Sequence, residues 1–280
     1  MVTKFAPTVA EPPLPPEGEV QRLKAENARL MAELAETQKT TNQYLQNVAH
    51  QLTAPLNAIK WGIEAIKDEK VTISRKMRLL SSIYSQGTIL VHLIKNFSLM
   101  SNLEADHELG QFREQPERVD PLRLAINLAN DFQPQAAERG IKIDIGELSF
   151  NHVFGTKSLL AVKNLIAQAL SNLLENAVKY ADLKTSIAVQ ATFVTLAPGA
   201  KTAVGLAVKS IGLPIAPEEV KCLLNRGVRG TAAKQRIPAG TGIGLYIANR
   251  VMEIHQGTVF IQARGRESTF SLVFPESRVK

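Results

Sequence analysis

From Val20 onward, positions spaced alternately three and four residues apart form a largely apolar seam, which is typical of a long helix that pairs with another. Asn27 lies on this seam between apolar neighbours, where a buried asparagine commonly fixes the register of a two-stranded parallel pair. We therefore expect a dimeric coiled coil over residues 17–46, with a lone amphipathic helix as the alternative. The seam positions are Val20, Leu23, Asn27, Leu30, Leu34, Thr37, Thr41, Tyr44 and Val48.

An apolar stripe continues beyond the seam and is repeated after a polar break. At roughly 100° of rotation per residue, His50 lies about 170° from the centre of the first stripe and faces water. The polar stretch KDEKVTIS separates two helices and predicts an antiparallel hairpin over residues 47–105. Two hairpins would form a four-helix bundle with both copies of His50 outside. The inward positions are Val48, Leu52, Ile59, Ile63, Ile66, Ile73, Met77, Leu80, Ile83, Leu90, Ile94 and Phe97.

The remaining segments differ in composition. Residues 1–16 are proline-rich and predict a disordered or extended tail, and the polar residues 106–120 predict a linker. Residues 121–276 alternate helical and β-rich stretches before a short tail at 277–280. We expect an α+β multidomain protein whose last domain is an α/β sandwich, with helices on one face of a mixed sheet. The expected helices span 121–138, 158–180 and a stretch from Gly244, and the expected strands are IKIDI, SIAVQATFV, AVGLAVKS and TVFIQA.

Composition indicates the cell compartment and the class of binding partner. The single cysteine, Cys222, requires no oxidising compartment, and no run approaches the roughly 20 apolar residues of a membrane span. We expect a soluble cytoplasmic protein without membrane insertion. The net charge of +7 comes from scattered basic residues, and aromatic residues make up only 5% of the chain. Nucleic-acid binding therefore ranks below an acidic protein partner or a nucleotide.

Three motifs then occur in order: AHQLTAPLNAI at 49–59, LSNLLENAVKY at 170–180 and GTGIGLYIANRV at 240–251. They resemble the phospho-acceptor box, the N box and the second glycine box of sensor histidine kinases, and the resemblance covers roughly residues 40–275. It implies a homodimer of a two-component phosphorelay that uses ATP and Mg²⁺, phosphorylates His50 and passes the phosphoryl group to a response-regulator receiver domain. Input from a separate sensor protein is compatible with this resemblance.

An exposed imidazole suits the role of phosphoryl acceptor. With an unperturbed pKa near 6.5, the ring of His50 keeps one nitrogen free to attack at pH 7. Pro55 removes a helical hydrogen bond just after the acceptor and predicts a kink there. The other four histidines, which lack a neighbouring motif, read as solvated surface residues: His92, His107, His152 and His255.

The N box places two carboxamides on one helix face, because Asn172 and Asn176 are four residues apart. The resemblance assigns Asn176 to the metal, Asn172 to neighbouring phosphates, Lys179 to added positive charge and Tyr180 to packing near the nucleotide. Magnesium takes few protein ligands and keeps several waters, so one asparagine plus phosphate oxygens is a plausible shell. The same helix also reads as a core helix with Leu170, Leu173 and Leu174 inward.

The second glycine box allows a close approach of backbone to a polyphosphate, and the helix from Gly244 directs its first N–H groups at that charge. A Rossmann loop is excluded because no acidic residue follows a βαβ unit at the expected spacing. The basic segment 226–238 predicts a mobile lid in which Arg229 meets the γ-phosphate, or else a loose surface loop. The nucleotide candidates are Asn172, Asn176, Lys179, Tyr180, Ser210, Gly212, Arg229, Gly240, Thr241, Gly242, Gly244 and Leu245.

Two motifs depart from the family. Its first glycine box, V-x-D-x-G-x-G, aligns with residues 208–214, where Ser210 replaces the aspartate that receives the adenine amino group and Pro214 replaces a glycine. Exchanging a carboxylate for a hydroxyl forfeits about 1–2 kcal/mol. In the acceptor box, Gln51 stands where many relatives carry glutamate; it can orient the ring of His50 but cannot take its proton. Ala54 cannot position a water, which predicts weak phosphatase activity.

Three functions are compatible with these features. The intact N box and second glycine box favour an ATP-dependent autokinase with His50 and Gln51 at the reacting centre. The altered residues Ser210 and Pro214 favour a histidine phosphotransferase or pseudokinase in which the last domain is mainly architecture. A dimeric scaffold whose last domain binds a partner is the third.

Overall fold

The computed structural model describes residues 17–109, 115–195, 202–237 and 240–280. The predicted tail at 1–16 lies outside them, and so do the side chains of the seam residues Thr37, Thr41 and Tyr44. By internal contacts the chain divides into two units, Met1–Gln46 and Asn47–Lys280. Within the described residues, no helix combines the length and the apolar composition that crossing a membrane requires.

Two long helices form the predicted hairpin: α1 spans Glu17–Lys67 and α2 spans Ile73–Leu109. In the turn between them, the Asp68 carboxylate accepts from the N–H of Lys70 at 2.9 Å, and the Thr72 hydroxyl accepts from the N–H of Arg75. Several of the predicted inward residues are exposed in the single chain, so the dimeric bundle stays a prediction. They are Ile63, Ile73, Met77, Leu80, Ile94 and Phe97.

An α/β domain follows the hairpin, and its sheet is mixed as expected. Five strands have the order β2-β4-β5-β7-β6, in which β2 and β4 are parallel and the other pairs are antiparallel; β1 and β3 form a separate antiparallel pair. The elements are β1 (Glu117–Val119), α3 (Pro121–Glu138), β2 (Lys142–Ile145), α4 (Glu147–Phe154), β3 (Leu159–Ala161), α5 (Lys163–Tyr180), β4 (Ser186–Val194), β5 (Ala203–Ile211), α6 (Pro217–Val220), α7 (Thr231–Arg236), α8 (Gly244–Ile254), β6 (Thr258–Arg264), β7 (Glu267–Phe274) and a 3₁₀ turn at Glu276–Arg278.

Helices α3, α5 and α8 cover one face of the sheet, which confirms the expected sandwich. The strands alternate accordingly: in β4, Ile187 and Val189 are buried, whereas Gln190 and Thr192 line an open polar groove on the other face. Helix α5 lies centrally and is buried along nearly its whole length. A helix enclosed in this way has few degrees of freedom, so its polar side chains hold fixed positions.

The structure differs from expectation where pairing is non-local. The stretch predicted as helix 158–180 starts with β3, which pairs with β1 about 40 residues earlier in the chain, and α5 begins only at Lys163. Within the predicted linker 106–120, α2 continues to Leu109 and β1 occupies Glu117–Val119. The sequence analysis also missed α4, the two short helices α6 and α7, and strand β7.

Two histidines read as surface residues are instead buried. His255 is 1% exposed: its Nε2 accepts from the N–H of Val162 at 3.0 Å, and its Nδ1 lies 2.7 Å from the carbonyl of Val251. This pairing requires a neutral ring that donates from Nδ1. His92 is also buried and stacks on Phe132 at 4.9 Å. Burial lowers the pKa of both rings.

Replacing His255 by Ala should destabilise the chain by about 1–3 kcal/mol, because the N–H of Val162 loses its buried acceptor. The lowered pKa of His255 means that its contribution is complete above the unfolded value near 6.5 and declines as the pH falls toward the folded value. Urea unfolding followed by circular dichroism at pH 7.5 and 5.5 measures both effects. The exposed His152→Ala is the control, and equal losses in the two variants would contradict the assignment.

Candidate nucleotide-binding site

One pocket of the α/β domain contains every nucleotide candidate from the sequence. Helix α5, the loop before α8, the ends of β5 and β7 and the segment from α6 to α7 all contribute to it. The hairpin contributes Gln51, Leu93 and Asn96. The candidates it brings together are Asn172, Asn176, Lys179, Tyr180, Ser210, Gly212, Arg229, Gly240, Thr241, Gly242, Gly244 and Leu245.

Asn172 is 2% exposed, and only the oxygen of its carboxamide has a hydrogen-bond partner. Its Oδ1 accepts from Asn96 Nδ2 at 2.7 Å, and Asn96 Oδ1 in turn accepts from Gln168 Nε2 at 2.8 Å. Asn172 Nδ2 is buried without a protein partner. Asn172 itself lines the pocket, so this unpaired donor lies in the pocket wall. Asn176, one turn later, is half-buried in the same wall.

The glycine box is shaped by close backbone approaches. Gly242 has φ of +68°, and a Cβ on it would lie 2.7 Å from the carbonyl carbon of Gly227. At Gly244, where α8 begins, a Cβ would lie 3.7 Å from the side chain of Asn172. The start of α8 and the side chain of Asn172 are therefore neighbours in the pocket wall, and a helix N-terminus at this place fits phosphate oxygens.

His50 and Gln51 differ in their surroundings. The ring of His50 is exposed, whereas the amide oxygen of Gln51 accepts from the N–H groups of Gly240 at 3.1 Å and Thr241 at 3.0 Å, in the amide orientation that satisfies both donors. The turn that carries the predicted acceptor thus touches the glycine box directly. The predicted orientation of the His50 ring by Gln51 stays a prediction.

Charged groups in the pocket are few. Lys179 Nζ lies 5.6 Å from the ring centroid of Tyr180. Burial raises the pKa of the Glu175 carboxyl, and the nearby Lys179 opposes that rise. The guanidinium of Arg229 donates to the carbonyls of Ala233, at 3.1 Å, and Ile237. Its predicted role at the γ-phosphate stays a prediction.

The predicted lid contains a short helix held by one carboxylate. Glu219 accepts from the N–H of Thr231 at 2.7 Å and from its hydroxyl at 2.6 Å, which anchors the start of α7. These hydrogen bonds lower the pKa of Glu219. Sequence reasoning missed this anchor, as well as Asn96 and Ser268, because their partners lie 12 to 76 residues away and no local pattern marks them.

No group of three or more His, Cys, Asp or Glu side chains that could hold a metal ion occurs among the described residues. An asparagine-based Mg²⁺ shell needs no such group, because phosphate oxygens and water supply most of its ligands. Asn176, half-buried in the pocket wall, fits this kind of site.

Comparison with known proteins agrees with this geometry. Residues 161–278 match the family described as histidine kinase-, DNA gyrase B- and HSP90-like ATPase. The chain is 28% identical over 238 residues to the phosphate regulon sensor protein PhoR of Pseudomonas aeruginosa, covering 84% of this chain and 50% of PhoR. It is 29% identical over 245 residues to the sensor histidine kinase CusS of Escherichia coli O157:H7, covering 84% of this chain and 45% of CusS.

By these comparisons, residues 161–278 are similar to the ATP-binding core of sensor histidine kinases. The solved structure of full-length ShkA in complex with AMPPNP shares the fold, with a TM-score of 0.50 and 21% identity over 84% of this chain and 45% of ShkA. This chain spans half or less of the length of PhoR and CusS.

Replacing Glu219 by Ala should loosen the predicted lid, because the N–H of Thr231 loses a charged acceptor. Hydrogen exchange of the α7 amides is expected to rise roughly fivefold or more. Because the pKa of Glu219 is lowered, the anchor is complete above the ordinary value of about 4.5 and is lost as the pH falls through the folded value. The adjacent exposed Glu218→Ala is the control, and equal exchange in both variants would exclude the anchor.

Proposed function

We propose that this chain is a cytoplasmic two-component histidine kinase that transfers the γ-phosphoryl group of Mg-ATP to His50. An aspartate of a response-regulator receiver domain then receives it. The observation that carries the proposal is the contact of Gln51 with the glycine box, since it brings the turn of the exposed His50 against the wall of the nucleotide pocket. A homodimer built on the hairpin, with input from a separate sensor protein, completes the proposed assembly.

In this proposal a ring nitrogen of His50 is the nucleophile. Its new N–P bond forms as the bond from the γ-phosphorus to the bridging oxygen breaks, and ADP leaves. Gln51 has no basic group, so the remaining ring proton is released to water. Catalysis then depends on positioning and on charge neutralisation more than on general-base help.

Different pocket residues bind different parts of the nucleotide in this proposal. Asn172 Nδ2 and the N–H groups at the start of α8 meet phosphate oxygens, and Lys179 adds positive charge. Asn176 is the proposed ligand of Mg²⁺, which when bound neutralises charge on those oxygens. Tyr180 packs beside Lys179 at the edge of the pocket.

A phosphotransferase is the second candidate, and the first glycine box favours it. Ser210 is neutral and shares a hydroxyl contact of 3.4 Å with Ser268, where a carboxylate would provide a stronger acceptor. Pro214 supplies no N–H at the pocket wall. Under this alternative the hairpin relays phosphoryl groups that another protein supplies.

Incubation with γ-labelled ATP and Mg²⁺ should place acid-labile label on the wild-type chain. His50→Ala removes the nucleophile and should abolish labelling, and Asn176→Ala should reduce it at least tenfold through loss of the metal ligand. The exposed His152→Ala and Asn151→Ala are matched controls. Absence of label together with uptake from a phosphorylated receiver domain would favour the phosphotransferase; absence of both would reject the two.

Replacing Gln51 by Ala should tighten ADP binding about fivefold or more. In the wild type, phosphates compete with the Gln51 amide for the N–H groups of Gly240 and Thr241, and each such bond contributes about 0.5–1.5 kcal/mol. Calorimetric titration measures the change. Gln46→Ala, an exposed amide one turn earlier, is the control; equal or weaker binding by Gln51→Ala would exclude the competition.

A further inference from the structure

Two buried serines lie side by side in the pocket wall. Ser210 on β5 and Ser268 on β7 are register partners, their hydroxyl oxygens are 3.4 Å apart, and the two residues are 6% and 8% exposed. Together with Phe270 they line the nucleotide pocket. Glu175 is the only carboxylate among the described lining residues, and it lies on the turn of α5 that carries Asn172.

The serine pair lines the β5–β7 side of the pocket, and Ser210 is two residues, or about 7 Å along the strand, before Gly212. Gly244 is adjacent to Asn172, whereas Gly212, two residues after Ser210, is adjacent to Tyr180: a Cβ on Gly212 would lie 2.2 Å from the Tyr180 carbonyl oxygen. Asn172 and Tyr180 are eight residues apart on α5, which corresponds to about 12 Å along the helix axis. We take a nucleotide with its phosphates near Gly244 and Asn172 to place its base against the serines and Phe270, which line the same pocket.

The direction of the hydrogen bond between the two serines is reversible. A hydroxyl offers one donor and two lone pairs, and either serine can donate to the other. In one direction the pair presents a lone pair to the ligand, and in the other it presents an O–H. An aspartate at the same place could only accept, so it would favour a ligand amino group and oppose a ligand carbonyl.

We infer that the Ser210–Ser268 pair binds the purine base without distinguishing a 6-amino from a 6-oxo group, so that inosine and adenine nucleotides are held with similar affinity. The inference rests on the proposed nucleotide function of the pocket. The two bases exchange donors and acceptors at positions 1 and 6, and reversing the serine hydrogen bond matches either pattern. Apolar packing against Phe270 is indifferent to the exchange.

Calorimetric titration of the full chain with Mg-ADP and Mg-IDP tests this without turnover. The wild-type dissociation constants are expected to agree within about threefold. Ser210→Asp should favour ADP over IDP by tenfold or more, because the carboxylate meets the lone pairs of the 6-oxo group. Thr269→Asp adds the same charge on the neighbouring residue of β7, which faces the groove on the other side of the sheet, and should keep the wild-type ratio.

The outcomes separate this inference from the proposed function. A wild-type preference for ADP above tenfold would overturn the inference and leave the kinase proposal intact, whereas binding of neither diphosphate would overturn both. Ser210→Ala, which removes one hydroxyl, keeps the test valid if Ser210→Asp fails to fold. It should weaken both diphosphates by similar several-fold factors, and unchanged affinity for both would show that the serines only bond to each other.

Discussion

Hydrogen bonds made by Asn96 determine the amide orientation of Asn172 in the wall of the nucleotide pocket. Asn96 donates to Asn172 and accepts from Gln168 within a mostly buried site, so the amide orientations set one another. The Nδ2 of Asn172 is thereby left buried without a protein acceptor. A buried unsatisfied donor costs about 1–3 kcal/mol, and an acceptor on the ligand recovers that cost. The structure is thus prepared for an anion before one binds.

The same interactions make the hairpin part of the pocket. Helix α2 contributes Asn96, and α1 contributes Gln51, whose amide oxygen meets two glycine-box N–H groups. A helix N-terminus and its preceding loop attract any well-placed acceptor, whether a side-chain amide or a phosphate. In the proposed complex, phosphates and Gln51 would therefore compete for the same N–H groups, which couples the hairpin to the nucleotide site.

Local patterns predicted the parts of this arrangement that depend on local physics. The helical hairpin and α3 follow from periodicity and from caps such as Asp120, whose carboxylate accepts from the N–H groups of Leu122 and Arg123. Contacts between residues that are distant in the sequence produce no local sequence pattern and were not predicted. The pairing of β1 with β3 joins three-residue strands, and the buried ring of His255 is recognisable only from its partner Val162, 93 residues away.

In the first glycine box, the backbone shape at Gly212 and the side-chain chemistry at Ser210 are subject to separate constraints. Gly212 is required by packing, because any side chain would meet the Tyr180 carbonyl, whereas Ser210 fills a small buried space and bonds to Ser268. The close backbone approach at Gly212 and the side-chain chemistry at position 210 are therefore separate features of this motif.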